Sequence, residues 1–197
     1  MRTWIKKTGC PLGAASLMVT LLLAGGALAE SEVILLDNVF PFDVSANGKA
    51  ITGNTGAYTP FRWTIETGVV VLADEGGSGT PDISADGNRV SAQVRSPEDM
   101  LVQAIWIKGD GWHYGPAYPA PDATGGTSCW GLSGDGTTCT GFYWRDNSDG
   151  AGSARTNTWS LVDGFEALPT PIRSCRGNDL SYDGSVVVGW SENDFGT

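Results

Sequence analysis

The residues best suited to chemistry are carboxylates set in a recurring spacing. Asp43-Val-Ser-Ala-Asn-Gly48, Asp82-Ile-Ser-Ala-Asp-Gly87 and Asp179-Leu-Ser-Tyr-Asp-Gly184 carry oxygen side chains at alternate positions ahead of a Gly. Calcium loops use that spacing, which makes Asp43, Asp82, Asp86, Asp179 and Asp183 candidate ligands. An EF-hand loop also needs a bidentate Glu at its last position, and here Asn54, Gln93 and Trp190 stand there. A structural turn is the stronger reading, and neither a metal nor another cofactor is expected. The pairs Asp74-Glu75, Glu98-Asp99 and Asp163 with Glu166 add carboxylates. Glycoside hydrolysis would need two of them about 5 Å or about 6.5–9.5 Å apart across a cleft, a separation that only a fold supplies.

Other reactive types are sparse. His113 is the sole His, so a zinc cluster is not expected. No G-x-S-x-G elbow presents a nucleophilic Ser. Trp112, His113, Tyr114 and Tyr118 form an aromatic run whose flat faces suit sugar rings or a protein partner. These four are the binding-surface candidates, with packing inside a sheet as the plainer alternative. Cys129 and Cys139 flank a Gly/Ser/Thr-rich turn and are compatible with a cross-strand disulfide, which leaves Cys175 over.

The elements that must position these groups are repeats. Four segments read apolar-Ser-x-(Asp/Asn)-Gly, and their turn pairs are Asn47-Gly48, Asp86-Gly87, Asp135-Gly136 and Asp183-Gly184. Each pair suits a two-residue type I′ turn, which needs φ > 0 at both central positions. A Trp-bearing segment follows in three units, at Trp63, Trp106 and Trp159, and then a Gly with a further apolar stretch. Each unit therefore predicts four short strands. Units of about 40–50 residues with four strands are the blade size of a β-propeller. The expected fold is all-β, a propeller-like array of about three and a half blades. The repeats lie near 39–78, 79–127, 128–174 and, in part, 175–197, with insertions at 109–127 and 145–156.

Composition and charge narrow the partners. The chain of 197 residues has 28 Gly, 12 basic and 22 acidic residues, a net charge of −10. That balance speaks against nucleic acid, which needs a basic patch. Residues 1–29 combine a basic start, an apolar stretch over 12–23 and a small-x-small site at 27–29, the layout of a secretory signal peptide. The expected mature part is residues 30–197, without a membrane span. It is expected in the periplasm, at the cell surface or outside the cell. Closing a ring would need either further blades beyond Thr197 or an oligomer.

The pattern Ile/Leu-Ser-x-Asp-Gly-x-x-Val-x-Gly, followed by Phe-x-Trp-Thr and Gly-x-x-x-Leu, resembles the HAF-type extracellular repeat. Residues 179–190 and 61–72 carry it best. The Ser-x-Asp-Gly hairpin is also similar to the repeats of TolB-type propellers, although the Pro usual there between Ser and Asp is missing. The third unit departs from the pattern with Gly131 in place of Asp and Cys139 in place of Val or Ile. The resemblance implies a secreted or surface protein and no particular activity. The reading expected from all this is an exported, non-catalytic binding or surface-interaction module for a protein or glycan, recognised through the inserted loops. A carbohydrate-active hydrolase or lyase is the alternative, and a structural passenger segment the third.

Overall fold

The computed structural model describes residues 2–8, 31–145, 153–169 and 174–192. No helix occurs among them, and none is therefore long and apolar enough to cross a membrane. Two units form. Met1–Asn38 contains an antiparallel pair, β1 (Arg2–Thr8) and β2 (Ser31–Asp37), with Arg2 opposite Asp37. The expected apolar export segment (12–23) and cleavage site (27–29) lie outside the described residues.

The second unit, Val39–Thr197, holds the repeats. The first blade is β3 (Val39–Val44), β4 (Ala50–Thr55), β5 (Pro60–Thr64) and β6 (Gly68–Val71). The second is β7 (Asp82–Ile83), β8 (Arg89–Arg95), β9 (Leu101–Ile107) and β10 (Gly111–Tyr114). The third is β11 (Ala123–Leu132), β12 (Thr138–Arg145), β13 (Ser153–Ser160) and β14 (Gly164–Ala167). The fourth shows a hairpin, β15 (Cys175–Leu180) and β16 (Val187–Ser191). Within each sheet the strands pair antiparallel in chain order. Among the described residues this is a propeller-like array of three four-stranded blades and a hairpin, and the sheets do not close into a ring.

The four Asx-Gly pairs stand at the four first turns, but the turn is not type I′. Only the glycines have positive φ, at 67°, 74°, 73° and 71° for Gly48, Gly87, Gly136 and Gly184. The Gly N–H closes onto the Ser carbonyl three residues back, and the Ser then pairs with the residue five ahead. The reason is side-chain chemistry. Asp135 Oδ1 accepts from Ser133 Oγ at 2.6 Å and from Thr137 N–H at 2.9 Å, while Ser133 Oγ accepts Thr138 N–H at 3.0 Å. The same three bonds recur around Asn47, Asp86 and Asp183. Asx side chains that bond the backbone two residues on stabilise such turns. Ser133 is fully buried, so Ser133→Ala leaves Thr138 N–H without its partner. The expected cost is about 1–2 kcal/mol in chemical denaturation, and a null effect would show that the Ser is dispensable.

Blades stack through apolar clusters between sheets. Ala50 of the first blade packs with Ile83 and Val90 of the second, and Leu72 and Trp106 close over them. Ile105 packs with Cys129, Leu132, Cys139 and Trp159 of the third. Side-chain hydrogen bonds also cross between blades: Gln93 Nε2 donates to Thr127 O at 2.7 Å and Asn157 Nδ2 to Gln103 Oε1 at 2.8 Å. Backbone bonds join the turns, Ala85 N–H to Gly134 O at 2.8 Å and Asp135 N–H to Tyr182 O at 2.9 Å.

The expected Cys129–Cys139 disulfide is not formed. Both are buried free thiols, as is Cys175. The turn is not centred between them, so Cys139 stands opposite Leu132 and a bulge sets Cys129 opposite Gly141. Burial and the adjacent Cys129 thiol push the Cys139 thiol above its usual range. Cys175 Sγ accepts the Thr156 N–H at 3.3 Å.

Candidate functional site

The first strand of every blade faces one hollow of about 570 Å³. Its walls include Phe42, Asp43, Asp82, Trp130, Asp179 and Tyr182. The spacing of the repeats explains this. The Asp two residues before each Ser lies at the end of the first strand, so each blade that has one delivers a carboxyl to the same place. The third blade delivers none. A Cβ on Gly131 would lie 2.8 Å from both Asn178 O and Asp179 Cα, which leaves no room for an Asp.

Two of these carboxyls form a pair. Ile83 N–H is shared by Asp43 Oδ2 at 3.0 Å and Asp82 Oδ1 at 2.8 Å. Val44 N–H bonds Asp43 Oδ1 at 2.7 Å, and Leu132 N–H bonds Asp82 Oδ2 at 2.8 Å. One amide thus holds two carboxyls side by side, in hydrogen-bond contact with each other. Burial, the hydrogen bond to Asp43 and the Asp43 charge push Asp82 up to about 9, against the opposing pull of the two backbone N–H groups. Like charges at this range cannot both ionise cheaply, so Asp82 keeps its proton. Each carboxyl also clamps the next blade: Asp43 reaches the strand of Ile83, and Asp82 reaches that of Leu132.

The other candidates are dispersed. Asp86 and Asp183 sit in separate turns, where hydrogen bonds to Ser84 and to Ser185 respectively hold them below the usual carboxylate range, Asp183 to about 2. Asp43, Asp82 and Asp179 meet only around the hollow. Among the described residues, no three His, Cys, Asp or Glu side chains are grouped to hold a metal ion. Trp112, His113 and Tyr114 lie on β10, the sheet edge opposite β7 and therefore away from the hollow. Trp112 packs on Ala92, Val94 and Ala104 and donates its indole N–H to Leu72 O at 2.7 Å. His113 Nε2 lies 2.7 Å from Asp110 Oδ2. Tyr114 and Tyr118 are exposed. Most of the insertion at 145–156 lies outside the described residues.

Trp130 and Tyr182 escape a reading of the sequence. Trp130 carries the Arg176 guanidinium over its ring at 3.5 Å, a contact that covers one face of the indole. The one signal for Trp130 is its position just before Gly131, where the other units end their first strand.

No family model matches the chain, and no curated protein matches it. Solved structures do match. TolB from Acinetobacter baumannii is similar with a TM-score of 0.53 and 16% identity, over 82% of this chain and 40% of that one. A putative TolB from Agrobacterium tumefaciens is similar with a TM-score of 0.53 and 16% identity, over 81% of this chain and 57% of that one. The chain spans about half the length of these structures. The likeness to HAF-type repeats rests on the motif alone. At 16% identity the matches speak to architecture, and that architecture is the propeller-like array found in TolB structures.

Proposed function

We propose that the chain is an exported, non-catalytic binding module and that its ligand enters the hollow. The observation that carries this reading is the convergence of Phe42, Trp130 and Tyr182 on one cavity of ligand size with the Asp179 carboxyl, which among the described residues accepts only the Leu180 N–H. Aromatic walls beside carboxyls suit a cationic group, and the net charge of −10 favours approach of a basic segment. A Lys/Arg-bearing protein segment is the ligand class that fits. The carbohydrate-active alternative draws less support. Asp43 and Asp82 share the Ile83 N–H and reach across the joints between blades. All four of their oxygens accept backbone N–H groups, so the pair is spent on holding blades. The export reading is supported by the basic-apolar-small layout of residues 1–29.

Titration with an Arg/Lys-rich peptide, followed by Trp fluorescence, tests the proposal. Salt-sensitive binding is expected, together with a loss of about fivefold in affinity for Tyr182→Ala. A neutral glycan that binds on an array while the basic peptide does not, or release of reducing sugar from a polysaccharide, would overturn it.

A further inference from the structure

We propose that the seam between the first and second blades holds a separate binding site for a neutral sugar ring. A second cavity carries this, apart from the basic-segment reading of the hollow.

The cavity measures about 520 Å³, within the roughly 300–1,000 Å³ of small-ligand clefts. Phe40, Phe42, Asn54, Tyr58, Ser78 and Thr80 supply its side-chain walls. Of these only Phe42 and Thr80 also line the hollow. The blades on either side are both four-stranded sheets. Phe40 stands opposite Asn54 on the β3–β4 pair, so the two share a face. That face looks toward the second blade, because Asn54 Nδ2 reaches Gly79 O. The chain before β7 joins the second blade's sheet, where Gly76 bridges Val94 and Gly77 N–H bonds Gln93 O.

One side chain decides why this seam is open and the next is filled. Asn54 and Gln93 stand at the same distance after their turn glycines, Gly48 and Gly87. Gln93 uses both ends of its amide: Nε2 donates to Thr127 O at 2.7 Å, and Oε1 accepts Ser78 N–H at 2.7 Å. Asn54 is one methylene shorter. Its Nδ2 reaches Gly79 O only at 3.4 Å, and among the described residues its Oδ1 accepts no hydrogen bond. Yet Asn54 is only 5% exposed. A buried amide oxygen without a donor is costly, so this one calls for a ligand O–H or N–H.

Tyr58 is the second sign. It lies in the turn between β4 and β5 with φ at 61°. The turn between β8 and β9 closes with the same two backbone bonds, and there Asp99 takes the left-handed position, with φ at 64°. Asp tolerates that position, whereas a bulky aromatic is strained in it. Tyr58 is also exposed, so packing does not explain the choice. Strain of this kind is kept where a side chain has a task.

The lining defines the ligand. It contains no Asp, Glu, Lys, Arg or His, in contrast to the hollow. A charged group would lose water there without gaining a partner. The three aromatic rings offer flat apolar faces. Ser78 and Thr80 donate their hydroxyls to Gln93 Oε1 and Trp130 O, which leaves oxygen lone pairs to accept from a ligand. A pyranose has C–H faces and a rim of hydroxyls, so it matches both features. An aliphatic or phenyl side chain would bury Asn54 Oδ1 without a donor.

Saturation-transfer NMR on the full chain tests this, with neutral hexoses, N-acetylhexosamines and their disaccharides at millimolar concentration. At least one sugar is expected to receive saturation on its ring C–H protons, to the same extent at low and high salt. Tyr58→Asn should weaken that binding by about tenfold, without lowering the melting temperature, since Asn tolerates the left-handed turn. Asn54→Gln should weaken it as well, by closing the gap as Gln93 closes its own. Tyr182→Ala, which probes the hollow, should leave sugar binding unchanged. No transfer to any of these sugars, binding that survives both Tyr58→Asn and Asn54→Gln, or sugar binding abolished by Tyr182→Ala would each overturn the proposal. Failure of the basic peptide to bind would bear on the hollow alone.

Discussion

Gly141→Ala should destabilise the protein by about 3 kcal/mol or more, one of the largest effects available to a single methyl group here. Gly141 lies on β12 where β11 bulges between Cys129 and Gly131. A Cβ there would sit on the Ser128 carbonyl oxygen, well inside van der Waals contact, and would also meet Cys129 Cα. Neither atom belongs to a flexible side chain, so the strand pair itself would have to part. Gly53 and Gly189 hold the same place against Phe40 and Arg176, and bulges lie opposite them too. The second blade supplies the control. Its equivalent residue is Ala92, and its short first strand β7 pairs only through Asp82 and Ile83, without a bulge. Ala92→Gly should cost only about 1–2 kcal/mol, the backbone entropy of a strand Gly together with the loss of one buried methyl beside Trp112. Urea denaturation of the two variants gives the comparison. Equal effects would show that backbone approach is not what the Gly provides.

The second large effect is a dependence of stability on pH. Folded Asp82 has its pKa raised to about 9 from an ordinary value of 3.8. Between these values the folded chain holds a proton that the unfolded chain has released. Stability from this pair is therefore fully present below the unfolded pKa. It falls as pH rises through the window, until the folded group also ionises. Asp86 and Asp183 are shifted the other way, so the stability they supply is lost only in more acidic solution. The melting temperature should decline from about pH 5 to about pH 8. Asp82→Asn should flatten that decline, because an amide donates to Asp43 without carrying charge. A wild-type profile that rises across this interval, or an Asn variant with the same slope, would contradict the shared-proton pair.

The repeats are legible in the sequence because each rests on local chemistry. Ser-x-Asx-Gly closes its own turn with three short-range bonds, and the alternating apolar strands around it follow from the pleat. The turn type is another matter, since Asx-Gly alone points to type I′. The Ser two residues before the Asx fills the loop's bonds instead, and it stands in all four copies. The disulfide expectation fails for a related reason: distance along the chain from a turn does not give register once a bulge intervenes.

The candidate site is less legible. Trp112, His113 and Tyr114 read as a continuous aromatic run, but a strand sends His113 to the face opposite its two neighbours. Trp112 is used against the preceding blade, and Tyr114, at the end of the strand, is exposed. Conversely, Asp43 and Asp82 belong to different repeats, and only the stacking of blades lets one amide hold both.

The sequence by itself determined the four hairpins, the strand count of each blade and the acidic character of the chain. These depend on turn chemistry, side-chain period and composition, all of which act within a few residues. Only the tertiary structure decided which carboxyls meet, that the Asp82 proton is retained, and that Gly131 must lack a side chain. Those outcomes depend on distances between blades, and burial there sets the electrostatics. The same repeat spelled out four times therefore yields one paired carboxyl site and one missing carboxyl.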